Sequence, residues 1–212
     1  MKNLFTLKNK KIIIIGGLGK IGKQFTKTFL DFGVKKIIIV DIIKSNKNTK
    51  KIDHYQCDLS DVAQVKKTFN AIFKKEKKIH SLIYNVYSKP LNYYMPDTAY
   101  DIKTWKKVMD VNLTAAYISS QSAINHFIKN RIKGNIVFLL STYGVVSPNL
   151  KIYKGLSKKK NIYGGKFSLT TPAAYTTTKS GLLGLTKYLA CAYGEKGIRV
   201  NALSPGGVFD NQ

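Results

Sequence analysis

The stretch Lys11–Asp41, KIIIIGGLGKIGKQFTKTFLDFGVKKIIIVD, decides the fold of this chain of 212 residues. Its run Ile12–Ile15 is β-branched, which is typical of a strand buried on both faces of a parallel sheet. A glycine-rich turn and a helical segment follow, and Lys36–Val40 then repeats the strand pattern. This order predicts a strand–helix–strand unit with parallel strands.

The turn after the first strand carries glycines with the spacing G-x-x-G-x-x-G. Glycine suits a tight turn, lets a pyrophosphate approach main-chain N–H groups, and seats the next helix close to the strand. The helix N-terminus favours an anion through its partial positive charge and its unpaired N–H groups. We therefore predict that the turn binds a dinucleotide through Gly16, Gly19, Lys20, Ile21 and Gly22.

Asp41 ends the second strand about 20 residues beyond the glycines, where a dinucleotide fold places the acid that holds the adenosine ribose. A carboxylate at this position repels a 2′-phosphate, so the sequence favours NAD over NADP. Lys44 and Lys47 lie close by and weaken that preference.

Four more strands are predicted at 52–57, 81–86, 134–140 and 199–203. Helical spacing of apolar residues alternates with them, with one long helix from near Thr104 to about Asn130 and another over Ala173–Tyr193. Six strands alternating with helices predict an α/β fold with a doubly wound parallel sheet, in a single domain over 1–212. The irregular segment 145–172 is long enough to suggest a loop over a binding site.

The composition predicts a globular, cytosolic protein. The longest apolar runs fall well short of the ~18 residues of a membrane span, and His54, His80 and His126 share no metal-binding spacing. The net charge is +25, yet 34 of the 36 basic residues are lysine, whereas proteins that read nucleic acid favour arginine. Nucleic acid is therefore a disfavoured partner, although attraction to anionic ligands stays open.

Polar residues follow the predicted strands at the edge where ligands bind to parallel sheets. Asp58, with Leu59 beside it, could reach the adenine amino group or could cap the next helix together with Ser60 and Asp61. Asn85 ends the fourth strand and is predicted to help hold the cofactor.

The helix after the long segment begins with Tyr175-Thr176-Thr177-Thr178-Lys179. Residues four apart share a helix face, and a nearby ammonium favours the phenolate, so we expect the pKa of Tyr175 to be lowered for acid–base work. About two Y-x-x-x-K pairs are expected by chance in so lysine-rich a chain, and one occurs. The position of the Tyr175–Lys179 pair supports a catalytic role, because the pair follows a strand that ends at Ser141.

Taken together, the chain resembles the short-chain dehydrogenase/reductase family over almost its whole length. Besides the glycines and the two acids, Asn85 matches the family's N-N-A-G segment, Asn112 its V-N-L segment, and Pro205-Gly206 its P-G turn. The resemblance implies that Tyr175 transfers a proton, Ser141 steadies the substrate oxygen, Lys179 holds the nicotinamide ribose, and Asn112 supports a proton relay. It also implies homodimers or homotetramers.

The sequence departs from the family pattern at several points. Tyr87 stands where N-N-A-G has its last glycine, and Lys20 replaces the middle glycine of G-I-G. The segments 141–155 and 200–212 are similar to oxidoreductases of bacterial flagellin and surface-sugar modification. The family's C-terminal substrate helix and seventh strand are missing, so the sequence is expected to be a C-terminally truncated fragment.

These observations predict an NAD-dependent oxidoreductase that interconverts an alcohol and a ketone on a small polar or sugar-derived molecule. A nucleotide-sugar epimerase or dehydratase with bound NAD is the first alternative, because the glycine spacing resembles the superfamily's extended branch. A non-catalytic protein that binds NAD or anions is the second. Basic residues of the long loop could attract an anionic substrate or could simply be solvated; they are Lys154, Lys158, Lys159, Lys160 and Lys166.

Overall fold

A six-stranded, wholly parallel sheet forms the centre of the computed structural model, which describes residues 5–156, 161 and 166–208. Its strands are β1 Lys11–Ile15, β2 Lys36–Asp41, β3 Ile52–Gln56, β4 Ser81–Tyr84, β5 Asn135–Leu139 and β6 Arg199–Leu203. Their order across the sheet is β3-β2-β1-β4-β5-β6. Successive strands are added in one direction from β1 to β3 and in the other from β4 to β6. The order therefore reverses between β1 and β4, which is where doubly wound sheets bind ligands.

Helices cover both faces of the sheet. They are α1 Lys20–Asp31, α2 Val62–Lys75, α3 Ile102–Met109, α4 Ala115–Lys129 and α5 Ala173–Tyr193. Short 3₁₀ turns lie at Asp97–Ala99, Thr142–Gly144, Leu150–Tyr153 and Gly194–Lys196. The doubly wound α/β fold predicted from the sequence is confirmed.

The alternation of side chains along the strands divides the core into two layers. Ile13, Ile15, Ile38 and Val40 point to one face and join the apolar residues of α2, α4 and α5. Ile12, Ile14, Ile37 and Ile39 point to the other face, against Phe25 and Phe29 of α1. Isoleucine runs can serve both layers because a parallel strand is buried on both sides.

The predicted long helix over 104–130 is interrupted. A π-helical turn at Asp110–Thr114 separates α3 from α4, so the helical segment begins at Ile102 and changes its hydrogen-bond pattern around Asn112. The predicted loop 145–172 likewise contains the 3₁₀ turn Leu150–Tyr153. π-Helical turns like the one at Asp110–Thr114 are frequent at functional sites.

Within the described part of the chain, no helix is both long and apolar enough to span a membrane. Over those same residues, His, Cys, Asp and Glu form no group of three or more that could hold a metal ion.

Candidate active site

A cleft of about 660 Å³ opens at the carboxyl ends of the strands. Its size is in the range of small-molecule and cofactor sites. The predicted residues that line it are Gly16, Gly19, Lys20, Ile21, Asp41, Asn85, Ser141, Tyr175, Lys179, Pro205 and Gly206. The cleft therefore joins the glycine turn to the tyrosine and lysine of α5.

The glycine turn is packed too closely for side chains. Gly16 has φ of 74°, in the left-handed region, and a Cβ there would lie 2.9 Å from the Asn85 carbonyl oxygen. A Cβ on Gly22 would lie 2.2 Å from the Gly16 carbonyl oxygen, so this glycine lets α1 approach β1. Gly22 is thus a packing residue beneath the turn and is not among the described residues that line the cleft.

The N-terminus of α1 faces the cleft without a side-chain cap. Gly19 is its N-cap residue and has no side chain that could accept a hydrogen bond from the first N–H groups of the helix, although its carbonyl oxygen accepts one of 2.9 Å from the Lys23 N–H. The first turn of α1 holds no acidic residue. The helix dipole and the N–H groups of a first helical turn together favour an anion. The turn therefore fits the pyrophosphate of a dinucleotide, which would be held by the backbone of Gly19, Lys20 and Ile21.

Asp41 lies beside this turn and is buried, with 8% of its surface exposed. Its Oδ2 accepts a hydrogen bond of 3.0 Å from the Leu18 N–H, and its Oδ1 accepts one of 3.1 Å from the Ile43 N–H. The carboxylate thus joins the glycine turn to the loop after β2 and also borders the cleft. A ribose held there would share oxygens that already accept backbone hydrogen bonds.

Asp58, the second acid predicted to bind the cofactor, does not line the described part of the cleft. Asp58 Oδ1 accepts hydrogen bonds from Ser60, 2.9 Å from its N–H and 2.7 Å from its hydroxyl, and these bonds lower the pKa of Asp58. Asp61, and not Asp58, caps α2. Neither Asp58 nor the buried Leu59 is among the described residues lining the cleft. Asn85, in contrast, lines it and donates a hydrogen bond of 3.1 Å to the Gly16 carbonyl oxygen.

Ser141 and Tyr175 meet at the opposite end of the cleft. Ser141 follows β5, is 8% exposed, and accepts a hydrogen bond of 3.2 Å from the Tyr143 N–H. Burial raises the pKa of Tyr175, and hydrogen bonding to the Ser141 side chain opposes that rise. The expectation of a lowered pKa for Tyr175 is therefore wrong for this structure, because burial outweighs the stabilisation of the phenolate.

Lys179 lies one turn further along α5, and only 3% of its surface is exposed. Its Nζ donates a hydrogen bond of 2.5 Å to the Leu139 carbonyl oxygen and lies 5.7 Å from the centroid of the Tyr175 ring. Burial lowers the pKa of Lys179 to about 8. The ammonium therefore faces the tyrosine ring but is anchored to the end of β5.

Asn112 is fully buried in the π turn. Its Oδ1 accepts a hydrogen bond of 2.7 Å from the Ser88 N–H, and its Nδ2 is 3.4 Å from the Thr178 hydroxyl. Its side chain is thus bonded to the loop after β4 and to α5, and Asn112 is not among the described residues that line the cleft. The structure supports a positioning role for this residue.

Several residues that line the cleft were not predicted as site residues. Tyr87 packs edge-on against Tyr175, with ring centroids 5.8 Å apart, and Lys89 Nζ lies 5.1 Å from the centroid of the Tyr87 ring. Tyr153 lines the same end, and its hydroxyl is 2.6 Å from the Thr171 hydroxyl. The density of tyrosine and lysine in 84–94 could have pointed to the first two, but only the fold brings them to Tyr175.

The lysines of the segment 145–172 were predicted either to attract an anionic substrate or to be solvated. Lys154 and Lys166 are exposed and are not among the described residues lining the cleft, while Lys158, Lys159 and Lys160 lie outside the described residues.

Comparison with known proteins identifies the family. Residues 10–158 match the family described as short chain dehydrogenase, and residues 159–210 match the family described as enoyl-(acyl carrier protein) reductase. The chain therefore belongs to the short-chain dehydrogenases, a family of oxidoreductases with a Rossmann fold that binds a nicotinamide dinucleotide.

Among curated relatives, the 3-oxoacyl-[acyl-carrier-protein] reductase FabG of Buchnera aphidicola is 30% identical over 97% of this chain and 76% of its own length. Glucose 1-dehydrogenase 2 of Bacillus subtilis is 32% identical over 50% of this chain, and that match spans 33% of the relative's length. These two relatives differ in their substrates, so they define the family and leave the substrate of this chain undefined.

Similar solved structures support the same family assignment. A short chain dehydrogenase from Leptospira borgpetersenii with bound NAD⁺ superposes with a TM-score of 0.83 at 27% identity, covering 100% of this chain and 77% of that one. A 4-hydroxyisoleucine dehydrogenase complexed with NADH and succinate has a TM-score of 0.73 at 29% identity, covering 92% and 78%. ElxO with NADP bound has a TM-score of 0.74 at 25% identity, covering 93% and 73%. The similar proteins thus include binders of either nicotinamide dinucleotide.

Proposed function

We propose that this protein is an NAD-dependent oxidoreductase that interconverts an alcohol and a ketone on a small polar or sugar-derived substrate. The single observation that carries the proposal is that Ser141, Tyr175 and Lys179 line the same cleft as the glycine turn. A nicotinamide dinucleotide supplies or accepts the hydride when bound. The chain itself contributes cofactor binding, substrate orientation and proton transfer.

Tyr175 is the proposed proton donor and acceptor. During reduction its hydroxyl hydrogen passes to the oxygen of the substrate carbonyl as hydride reaches the carbonyl carbon, and oxidation reverses both transfers. Because burial raises the pKa of Tyr175, the phenol stays protonated at neutral pH, which suits the reductive direction. Ser141, whose side chain interacts with Tyr175, is proposed to donate a hydrogen bond to the same substrate oxygen.

Two further residues, Lys179 and Asn112, support Tyr175 and Ser141 in the proposed mechanism. Lys179 presents a positive charge to the Tyr175 ring, and its proposed role is to hold the nicotinamide ribose. Asn112 fixes the loop after β4 relative to α5 through its two hydrogen bonds.

NAD is proposed over NADP because of Asp41. A 2′-phosphate beside this buried carboxylate would meet a negative charge whose oxygens already accept backbone hydrogen bonds. Lys44 and Lys47, which follow β2 closely in the sequence, weaken this preference because their positive charge would attract a 2′-phosphate. Homo-oligomeric assembly, a cytosolic location and a place in flagellin or surface-sugar modification stay predictions of the sequence.

The decisive experiment replaces Tyr175 with phenylalanine. We expect NADH oxidation with sugar-derived and small polar ketones to fall about a thousandfold, because the proton donor is lost. NADH affinity, measured by nicotinamide fluorescence, should change little. Tyr188→Phe is the matched control, since Tyr188 is exposed on the same helix. Equal turnover by the wild type and Tyr175→Phe, or NADH binding without turnover of any ketone, would refute the proposal.

A further inference from the structure

A lysine outside the motifs described above lies at the catalytic end of the cleft. Lys89 Nζ is 5.1 Å from the centroid of the Tyr87 ring and 6.0 Å from that of Tyr94. Tyr87 in turn packs edge-on against Tyr175. The Tyr87 ring therefore contacts both the ammonium of Lys89 and the ring of the proposed proton donor.

The segment that carries Lys89 is held in place on both sides. The Ser88 N–H donates to the buried side chain of Asn112, and the Tyr93 N–H donates a hydrogen bond of 2.9 Å to the Pro90 carbonyl oxygen. Pro90 also restricts the backbone of Lys89 to extended conformations. The two tyrosine rings then limit the flexible side chain through cation–π contacts. The fold therefore holds the backbone of this segment and brings the Lys89 ammonium close to the Tyr87 ring.

The charges that line the cleft are unevenly distributed. Its described lining contains three lysines, Lys20, Lys89 and Lys179, and a single acidic residue, Asp41. Asp41 and Lys20 belong to the glycine-turn end, where Asp41 bonds to the Leu18 N–H. The catalytic end therefore presents two ammonium groups, and the described lining offers no carboxylate there.

Desolvation decides which substrate suits this arrangement. Lys89 is half-buried, and a molecule that fills the cleft beside Tyr175 takes more water from its ammonium. Covering a cation with a neutral group is costly, whereas a carboxylate or phosphate restores its interactions through a charge-assisted hydrogen bond.

We propose that Lys89, positioned by Tyr87 and Tyr94, is a specificity-determining residue that binds an anionic group of the substrate. The inference rests on the proposed function and narrows its substrate class to carboxylated or phosphorylated alcohols and ketones. In the productive complex the reacting carbon lies at Tyr175 and the anion lies at the Lys89 ammonium, beside the Tyr87 ring.

The test measures binding of succinate and of its neutral analogue, dimethyl succinate, to the chain saturated with NADH, by isothermal titration calorimetry. We expect the wild type to bind succinate at least about tenfold more tightly than the diester, as one charge-assisted hydrogen bond implies. Lys89→Gln should lose that preference, while Lys89→Arg should keep it. Lys103→Gln, which removes an exposed lysine from α3, is the matched control and should behave as the wild type.

Three results overturn the inference while NADH still binds. The first is a wild type without preference for succinate, and the second is an equal loss in Lys89→Gln and Lys103→Gln, which would assign the effect to net charge. The third is retention of the preference by Lys89→Gln, which would reject Lys89 as the anion-binding residue. If the chain binds no NADH at all, that result refutes the proposed function itself.

Discussion

Lys179 donates its hydrogen bond to the Leu139 carbonyl oxygen, at 2.5 Å, and not to the phenol of Tyr175. The lysine therefore joins α5 to the end of β5, and its charge reaches the tyrosine only across 5.7 Å, measured from Nζ to the ring centroid. Burying an ammonium with so few partners is costly, which is the physical cause of its lowered pKa.

The first prediction concerns the pH dependence of stability. The pKa of Lys179 is about 8 in the folded protein and 10.5 without the fold, so between these values the unfolded chain binds more protons and stability rises with pH. Relative to Lys179→Met, the wild type should gain about 3 kcal/mol across this window. Urea unfolding at neutral and alkaline pH measures the difference. Lys187→Met removes an exposed lysine from the same helix and should show no such gain.

The second prediction concerns reaction rates. Oxidation of an alcohol requires the deprotonated form of Tyr175, and burial raises the pKa of this residue. The kcat/KM of oxidation should therefore rise with pH through the alkaline range, while that of reduction stays flat at neutral pH. Steady-state assays in both directions test this. An oxidation rate already at its plateau at neutral pH would contradict the raised pKa.

The third prediction concerns cofactor choice. Asp41→Asn replaces the Oδ2 acceptor facing the Leu18 N–H with an NH₂ group, or else removes the acceptor facing Ile43, and it removes the negative charge. We expect NADH affinity to fall about tenfold and the preference over NADPH to narrow. Fluorescence titrations with both dinucleotides measure this. Asp31→Asn, at the exposed end of α1, has the same charge change and should leave both affinities unaltered.

The fourth prediction concerns the packing beneath the glycine turn. In Gly22→Ala the new methyl group would lie 2.2 Å from the Gly16 carbonyl oxygen and 2.7 Å from Gly17 Cα, so α1 must move outward. Thermal unfolding should show a loss of about 2 kcal/mol, and NADH binding should weaken with it. Gly184→Ala, on the exposed face of α5 with no atom within 4 Å of the new methyl, should instead stabilise the protein by about 1 kcal/mol.

The sequence predicts local features of this protein well. Runs such as Ile12–Ile15 define strands because β-branched residues recur in buried parallel strands, and the periodic apolar residues of α5 give its bounds as Ala173–Tyr193. Fold class and strand number follow from such runs alone.

Features that depend on distant partners could not be predicted. The π turn around Asn112 is accompanied by hydrogen bonds to Ser88 and Thr178, which lie far away in the sequence. The sign of the pKa shift at Tyr175 is set by burial against other segments and not by the lysine four residues later. Asp58 illustrates the same limit, since its hydrogen bonds to Ser60 could be anticipated but its place outside the cleft lining could not.

The last prediction concerns an ion-pair network around the N-terminal ends of the strands. Lys36 Nζ lies 2.9 Å from Asp53 and 3.1 Å from Glu76, and Lys11 also pairs with Glu76. Burial alone would raise the pKa of Glu76, but hydrogen bonds from Lys11 and Lys36 outweigh it, so the pKa lies below its usual 4.5.

Glu76→Gln should destabilise the protein by about 3 kcal/mol at neutral pH, because two lysines lose a largely buried partner. Since the folded pKa is the lower one, this contribution is complete above pH 4.5 and disappears as the pH falls through the folded value. Urea unfolding of both proteins from neutral to acidic pH should therefore show a constant difference that shrinks only below that point. Glu195→Gln, an exposed change in the turn after α5, is the matched control, and an equal loss there would show that overall charge, and not this network, is responsible.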